Sequence, residues 1–79
     1  MKSLLEFLIT KITGAKIGKD FSAVETESEG KTILEISAKP DIIGLIIGHE
    51  GKTIKNIRKI VAIRAVLEEK SINISVIEA

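Results

Sequence analysis

Ile46-Ile47-Gly48-His49-Glu50-Gly51-Lys52-Thr53-Ile54 is the stretch on which the fold of this chain turns. An aliphatic pair leads in, two glycines bracket a polar pair, and a basic residue and a further aliphatic follow. The hydrophobic spacing on both sides is helical, so residues 48–51 make a tight loop between two helices. Glycine lacks the side chain that would keep another backbone at a distance. The second helix begins at the loop and aims its N–H groups and positive dipole end at whatever sits there. Phosphate is the expected occupant. Lys52 stands beside that point, Lys55 and Lys59 continue a cationic stripe, and Ile46, Ile47 and Ile54 are expected to be buried and to tie the loop to the core.

Two glycines three apart arise by chance roughly one time in three in a chain this short, so Gly-x-x-Gly alone decides nothing. Requiring the aliphatic pair before and the aliphatic after lowers the chance to about one in a thousand. A phosphate-binding ATPase loop is the obvious rival, because Gly51-Lys52-Thr53 has the ending of G-x-x-x-x-G-K-[ST]. The spacing rejects it: the first glycine would fall on residue 46, which is Ile46, and no strand leads into the loop.

Outward from the loop, Pro40-Asp41 opens the preceding helix. IIGLII (residues 42–47) then reads as a short, largely buried helix that ends at Gly48. On the other side a long helix from Lys52 to about Glu69 puts Ile54, Ile57, Val61 and Ala65 on one side and Lys52, Lys55 and Lys59 opposite. Ile63, Val66 and Leu67 fall toward the polar side and call for a second contact, with the N-terminal helix or with another subunit. Residues 3–13 are helical by spacing, with a capping-box pattern at Ser3 and Glu6 and a stop at Gly14. Residues 21–28 and 31–38 form a hairpin about Glu29-Gly30, with Thr32, Leu34, Ile36 and Ala38 on one face. Residues 71–78 close the chain as a strand with Ile72, Ile74 and Val76 facing one way. The order αββααβ predicts an α+β fold, a three-stranded sheet with helices packed on one face.

Composition narrows the function. Seventy-nine residues with no cysteine make one domain, 1–79, whose core must be mostly aliphatic, since Phe7 and Phe21 are the only aromatics. Platforms that stack bases on surface aromatics are therefore excluded. His49 is the only histidine, so no metal site and no cofactor are expected; with no nucleophile–base pair either, the chain is read as not an enzyme. The net charge of +1 hides a polarised chain: residues 20–35 carry net −4 and residues 39–64 net +4. An anionic partner is expected at the second block. No stretch is apolar enough to span a membrane, and Glu6 interrupts the one candidate for a signal-peptide core, so a soluble cytoplasmic protein is expected.

The aliphatic pair, Gly-x-x-Gly and the following aliphatic, set in the order αββααβ, resemble the KH domains, and the fold implied is KH type II. More narrowly the chain is similar to the KhpA family of small bacterial proteins that are little more than one KH domain. The similarity runs through the MKSLLEFL opening, the acidic hairpin, AKPDIIGLIIG, the loop, KTIKNIRKIVAIRA and the closing INISVIE. It implies binding of single-stranded RNA, a small RNA or mRNA, by a chaperone or post-transcriptional regulator whose loop clamps the backbone of about four nucleotides. Bases would lie in an aliphatic groove beside it. Carried over, Gly48, His49, Glu50 and Gly51 are the loop, Lys52 its basic neighbour, and Gly44 the small residue one turn before it; Lys55 joins the RNA-binding set from the cationic stripe. Ile47 and Ile54 support the loop and line the groove. Gly44 inside a helix is otherwise accounted for by close helix packing. The family also implies a homodimer, a complex with a KhpB-type KH protein, or both; the alternative function is accordingly a dimerisation module that recruits another RNA-binding protein. One departure stands out: the middle loop positions of such domains usually include Lys or Arg, and here they are His49 and Glu50. Glu50 repels phosphate, so modest affinity is expected.

Overall fold

A computed structural model describes residues 1–79. Helix α1 (Lys2–Thr13) is followed by strands β1 (Phe21–Ser28) and β2 (Lys31–Ala38), helices α2 (Pro40–Ile47) and α3 (Lys52–Leu67), and strand β3 (Ser71–Glu78). This is the αββααβ order that the hydrophobic spacing predicts, and it matches the type II KH fold. The strand order is β1-β2-β3, with β2 antiparallel to β1 and parallel to β3. Chain connectivity explains the mixture. A two-residue turn allows only antiparallel neighbours, whereas β3 returns after two intervening helices and can therefore pair in parallel.

Alternation along the central strand sorts the two faces. Thr32, Leu34, Ile36 and Ala38 are buried, and the register sets Phe21 opposite Ala38, Ala23 opposite Ile36 and Ile74 opposite Leu34 on the same face. Leu5 and Ile9 of α1, Ile46 of α2, and Ile54, Ile57 and Val61 of α3 join them in one core cluster. Each such aliphatic removed from water contributes about 1.5–3 kcal/mol, which is how a nearly aromatic-free chain forms a core. The opposite face carries Ser22, Thr26, Glu35 and Ser71, so the helices cover one side only.

Three local expectations are corrected. The Ser3–Glu6 capping box does not form: α1 starts at Lys2, without a side-chain cap. Its first amide is satisfied from a distance, because Glu25 Oε1 on β1 accepts the Lys2 N–H at 2.9 Å and lies 3.3 Å from the Met1 ammonium. The hydrogen bond from Lys2 is the main cause that holds the Glu25 carboxyl below the usual carboxylate value, with the N-terminal charge helping and burial opposing. Next along the same row, Glu27 Oε1 accepts hydrogen bonds from Lys70 Nζ at 2.6 Å and from Thr32 Oγ1 at 3.3 Å. Lys70 lowers the Glu27 carboxyl, and Glu27 in turn raises the Lys70 ammonium.

Helix α2 is less buried than its sequence predicts. Ile46 is fully buried, Ile42 and Ile43 are half-buried, and Leu45 and Ile47 are exposed. A two-turn helix resting on α3 and β3 presents only one stripe to the core, however apolar its other positions are. Helix α3 stops at Leu67 rather than Glu69. Glu69 adopts the left-handed conformation, and the Lys70 N–H donates to Ala65 O at 2.8 Å, a helix-ending wrap that turns the chain into β3. No helix is long and apolar enough to cross a membrane.

Candidate nucleic-acid interface

The loop is a single 3₁₀ turn, His49–Gly51, between the two helices. Gly48 ends α2 by donating its N–H to Gly44 O at 2.9 Å. Its φ of 76° and ψ of 176° suit glycine alone, and a Cβ there would lie 2.6 Å from Thr53 Cβ and collide with Thr53 Oγ1 as well. Gly48 is therefore a requirement of the fold itself. Thr53, which folds back over it, enters the sequence reasoning only as the end of the rejected ATPase-loop pattern, with no part in the fold. Its only signal was its place two residues after the second glycine.

Gly51 differs. It is left-handed at φ 73°, yet a Cβ would meet nothing within 4 Å. The space in front of it is open to a ligand. Between the glycines Glu50 is held at φ 55°, a conformation that L residues rarely adopt. Its carboxylate Oε1 lies 3.7 Å from His49 Nε2, with the two side chains 70% and 87% exposed. Two of the amides at this corner are already used: Gly51 N–H donates to Gly48 O at 3.1 Å, and Lys52 N–H donates to His49 O. The expectation of wholly free N–H groups thus narrows to the amides just inside α3, together with its dipole.

Gly44 sits in mid-helix and is exposed, and a Cβ there would meet nothing within 4 Å. Close helix packing does not explain it. Of the aliphatics around the loop, Ile46 and Ile54 are buried and anchor it, whereas Ile47 is 37% exposed and belongs to the surface, contrary to expectation. Lys52, Lys55 and Lys59 are all exposed, and none takes part in any of the four ion pairs of the chain. Their charge is uncompensated within the chain. Lys55 lies about 4.5 Å of helix rise beyond Lys52, and Lys59 about 6 Å further.

Farther along, α3 and the outer edge of β3 border an open cleft of about 330 Å³ lined by Arg58, Ala62, Ile72, Asn73 and Ile74. Arg58 Nη2 donates to Ile74 O at 3.3 Å across it. Arg58 and Asn73 carry no motif, so only the packing of helix against strand brings them together. Farther along α3, Ile63, Val66 and Leu67 are 64%, 75% and 76% exposed. Contact with α1 does not cover them, which removes one of the two explanations for their position.

Comparison with known proteins identifies the relatives of this chain. The family model described as KhpA/KhpB, KH domain, matches residues 2–76. The chain is 34% identical over 77 residues to the RNA-binding protein KhpA of Thermotoga maritima, covering 98% of this chain and 99% of that one. It is 30% identical over 77 residues to the RNA-binding protein KhpA of Clostridium perfringens, covering 98% of this chain and the whole of that one. The same name and identity recur in Clostridium acetobutylicum, again over 98% of this chain. No solved structure matches. With the family model spanning nearly the whole chain, and with the αββααβ order and the Gly48–Gly51 turn in place, the chain belongs to the KhpA/KhpB family of KH domains.

Proposed function

We propose that this chain binds single-stranded RNA, a small RNA or mRNA, as a non-enzymatic chaperone or post-transcriptional regulator in the cytoplasm. The backbone of about four nucleotides lies over Gly51 and the first turn of α3, as in KH domains generally. Lys52 and Lys55 neutralise phosphates, and the bases run past Gly44 and Ile47 toward the aliphatic wall beside the loop. The carrying observation is the open space at Gly51 and Gly44 next to lysines without ion-pair partners. Close approach and uncompensated positive charge are what an RNA backbone requires.

The test compares Gly51→Asp with Gly51→Asn by fluorescence anisotropy on a labelled oligonucleotide. Asp and Asn both tolerate the left-handed conformation, so the pair differs in charge and not in backbone cost. The expected result is a loss of at least tenfold for Asp beyond that for Asn. Equal affinities for folded Asp and Asn variants would show that no phosphate approaches the loop.

A second reading is favoured by one observation, the bare Ile63, Val66 and Leu67 on α3. Exposed aliphatics at this density on a helix suit self-association or recruitment of a KhpB-type partner. Light scattering across concentration, with Ile63→Lys alongside, separates the two roles. Dimerisation lost in the variant supports this face, and a monomer at every concentration leaves only the heterologous partner.

A further inference from the structure

The loop departs from a simple cationic clamp in one respect, and the structure gives the departure a geometry. His49 and Glu50 occupy its two outward positions, 3.7 Å apart at their nearest nitrogen and oxygen, both largely in solvent. Glu50 is kept at φ 55° despite having a Cβ, and its carboxylate lies beside the imidazole. The flanking elements supply the other charges. Lys52 and Lys55 stand in the first turn of α3, and the last turn of α2 carries none. With the imidazole neutral, the loop's own two side chains total −1; with it protonated, they total zero, and a second donor N–H is added at the phosphate.

We infer that the Gly48–Gly51 loop is a proton-responsive clamp, in which protonation of His49 offsets Glu50 and strengthens the hold on RNA. The inference rests on the proposed seating of the RNA backbone at this loop. Binding and protonation are then linked: an anion that prefers the protonated imidazole binds more tightly as pH falls, and RNA occupancy promotes proton uptake by His49. Between about pH 7.5 and 5.5 ordinary carboxylates stay ionised, so a rise in affinity on acidification across that range is not theirs. One unit charge about 5 Å from a phosphate changes affinity about fourfold in the dielectric of bulk water, and by more where the protein displaces water. His49 is the only histidine in the chain, so a response in this window that vanishes with position 49 has one source.

The experiment measures RNA affinity at constant ionic strength from pH 7.5 to 5.5 for the unmodified chain, His49→Gln and Glu50→Gln, with Gly51→Asp as the site control. The unmodified chain should gain three- to tenfold toward pH 5.5, and the slope of log affinity against log salt should steepen by up to about 0.7, the value of one added phosphate contact on a single strand. His49→Gln should be flat. Glu50→Gln should bind several-fold more tightly at pH 7.5 and keep a pH response of the same sign. A flat profile for the unmodified chain, or an unchanged rise in His49→Gln, overturns the inference. If Gly51→Asp binds as tightly as Gly51→Asn, the seating of RNA at the loop fails instead, so the two failures are distinct. Circular dichroism at each pH checks that every variant remains folded.

Discussion

Gly44→Ala separates stability from binding at a single carbon atom. Gly44 is the fifth of eight residues in α2, exposed, with ordinary helical backbone and no atom within 4 Å of the position a Cβ would take. Ala has better helix propensity than Gly and restricts the unfolded chain, which together stabilise by about 0.5–1 kcal/mol where nothing clashes. For a domain of 60–100 residues, 1 kcal/mol moves Tm by about 4–8 °C, so the variant should melt about 2–8 °C higher. If an RNA backbone or base packs against this bare stretch of helix, the added methyl overfills a close contact at a cost of about 1–2 kcal/mol, or about five- to thirtyfold in affinity. Thermal melts by circular dichroism and anisotropy titration on one preparation measure both. A higher Tm with unchanged RNA affinity would refute the placement of RNA across α2, and a lower Tm would refute the structural account of Gly44.

Gly48→Ala should behave in the opposite way, losing more than about 2 kcal/mol of stability in urea denaturation, because its backbone is open to glycine alone and its Cβ would strike Thr53. Glu27 and Lys70 set opposite pH edges on stability. The Glu27 carboxyl is lowered in the folded state, so its contribution is present above the carboxylate's usual 4.5 and is lost as pH falls through the lowered value. The Lys70 ammonium is raised, so its contribution is full below 10.5 and is lost as pH rises through the raised value. Glu27→Gln should therefore flatten both the acid and the alkaline limbs of a Tm-against-pH curve; limbs of unchanged steepness would show that the pair carries no linkage.

Much of the molecule is written in local patterns. The alternation of Thr32, Leu34, Ile36 and Ala38 against Lys31, Ile33, Glu35 and Ser37 leaves one choice of buried face, and the spacing of Ile54, Ile57, Val61 and Ala65 selects one stripe of α3; both are as the structure has them. Turn residues Glu29-Gly30 and the Gly48–Gly51 loop sit where chain reversal needs them. These features depend on neighbours a few residues away, and hydrophobic period and turn chemistry report such neighbours directly.

Position within a layer is different, because it depends on what packs from elsewhere. Ile46 and Ile47 are chemically identical, yet the rotation of a two-turn helix against α3 and β3 buries one and leaves the other in solvent. Ser3 and Glu6 have a capping pattern, but Glu25, twenty-three residues from Lys2, reaches the helix end first. The cleft of Arg58, Asn73 and Ile74 exists only because parallel pairing brings β3 alongside α3. The sequence by itself determined the elements, their order, the buried faces of β2 and α3 and the glycine loop, since each follows from local sterics and periodic hydrophobicity. Tertiary structure alone decided that Gly48 is spent on Thr53 while Gly44 and Gly51 face open space, because a glycine's purpose lies in the atoms across from it and those arrive only when the chain has folded.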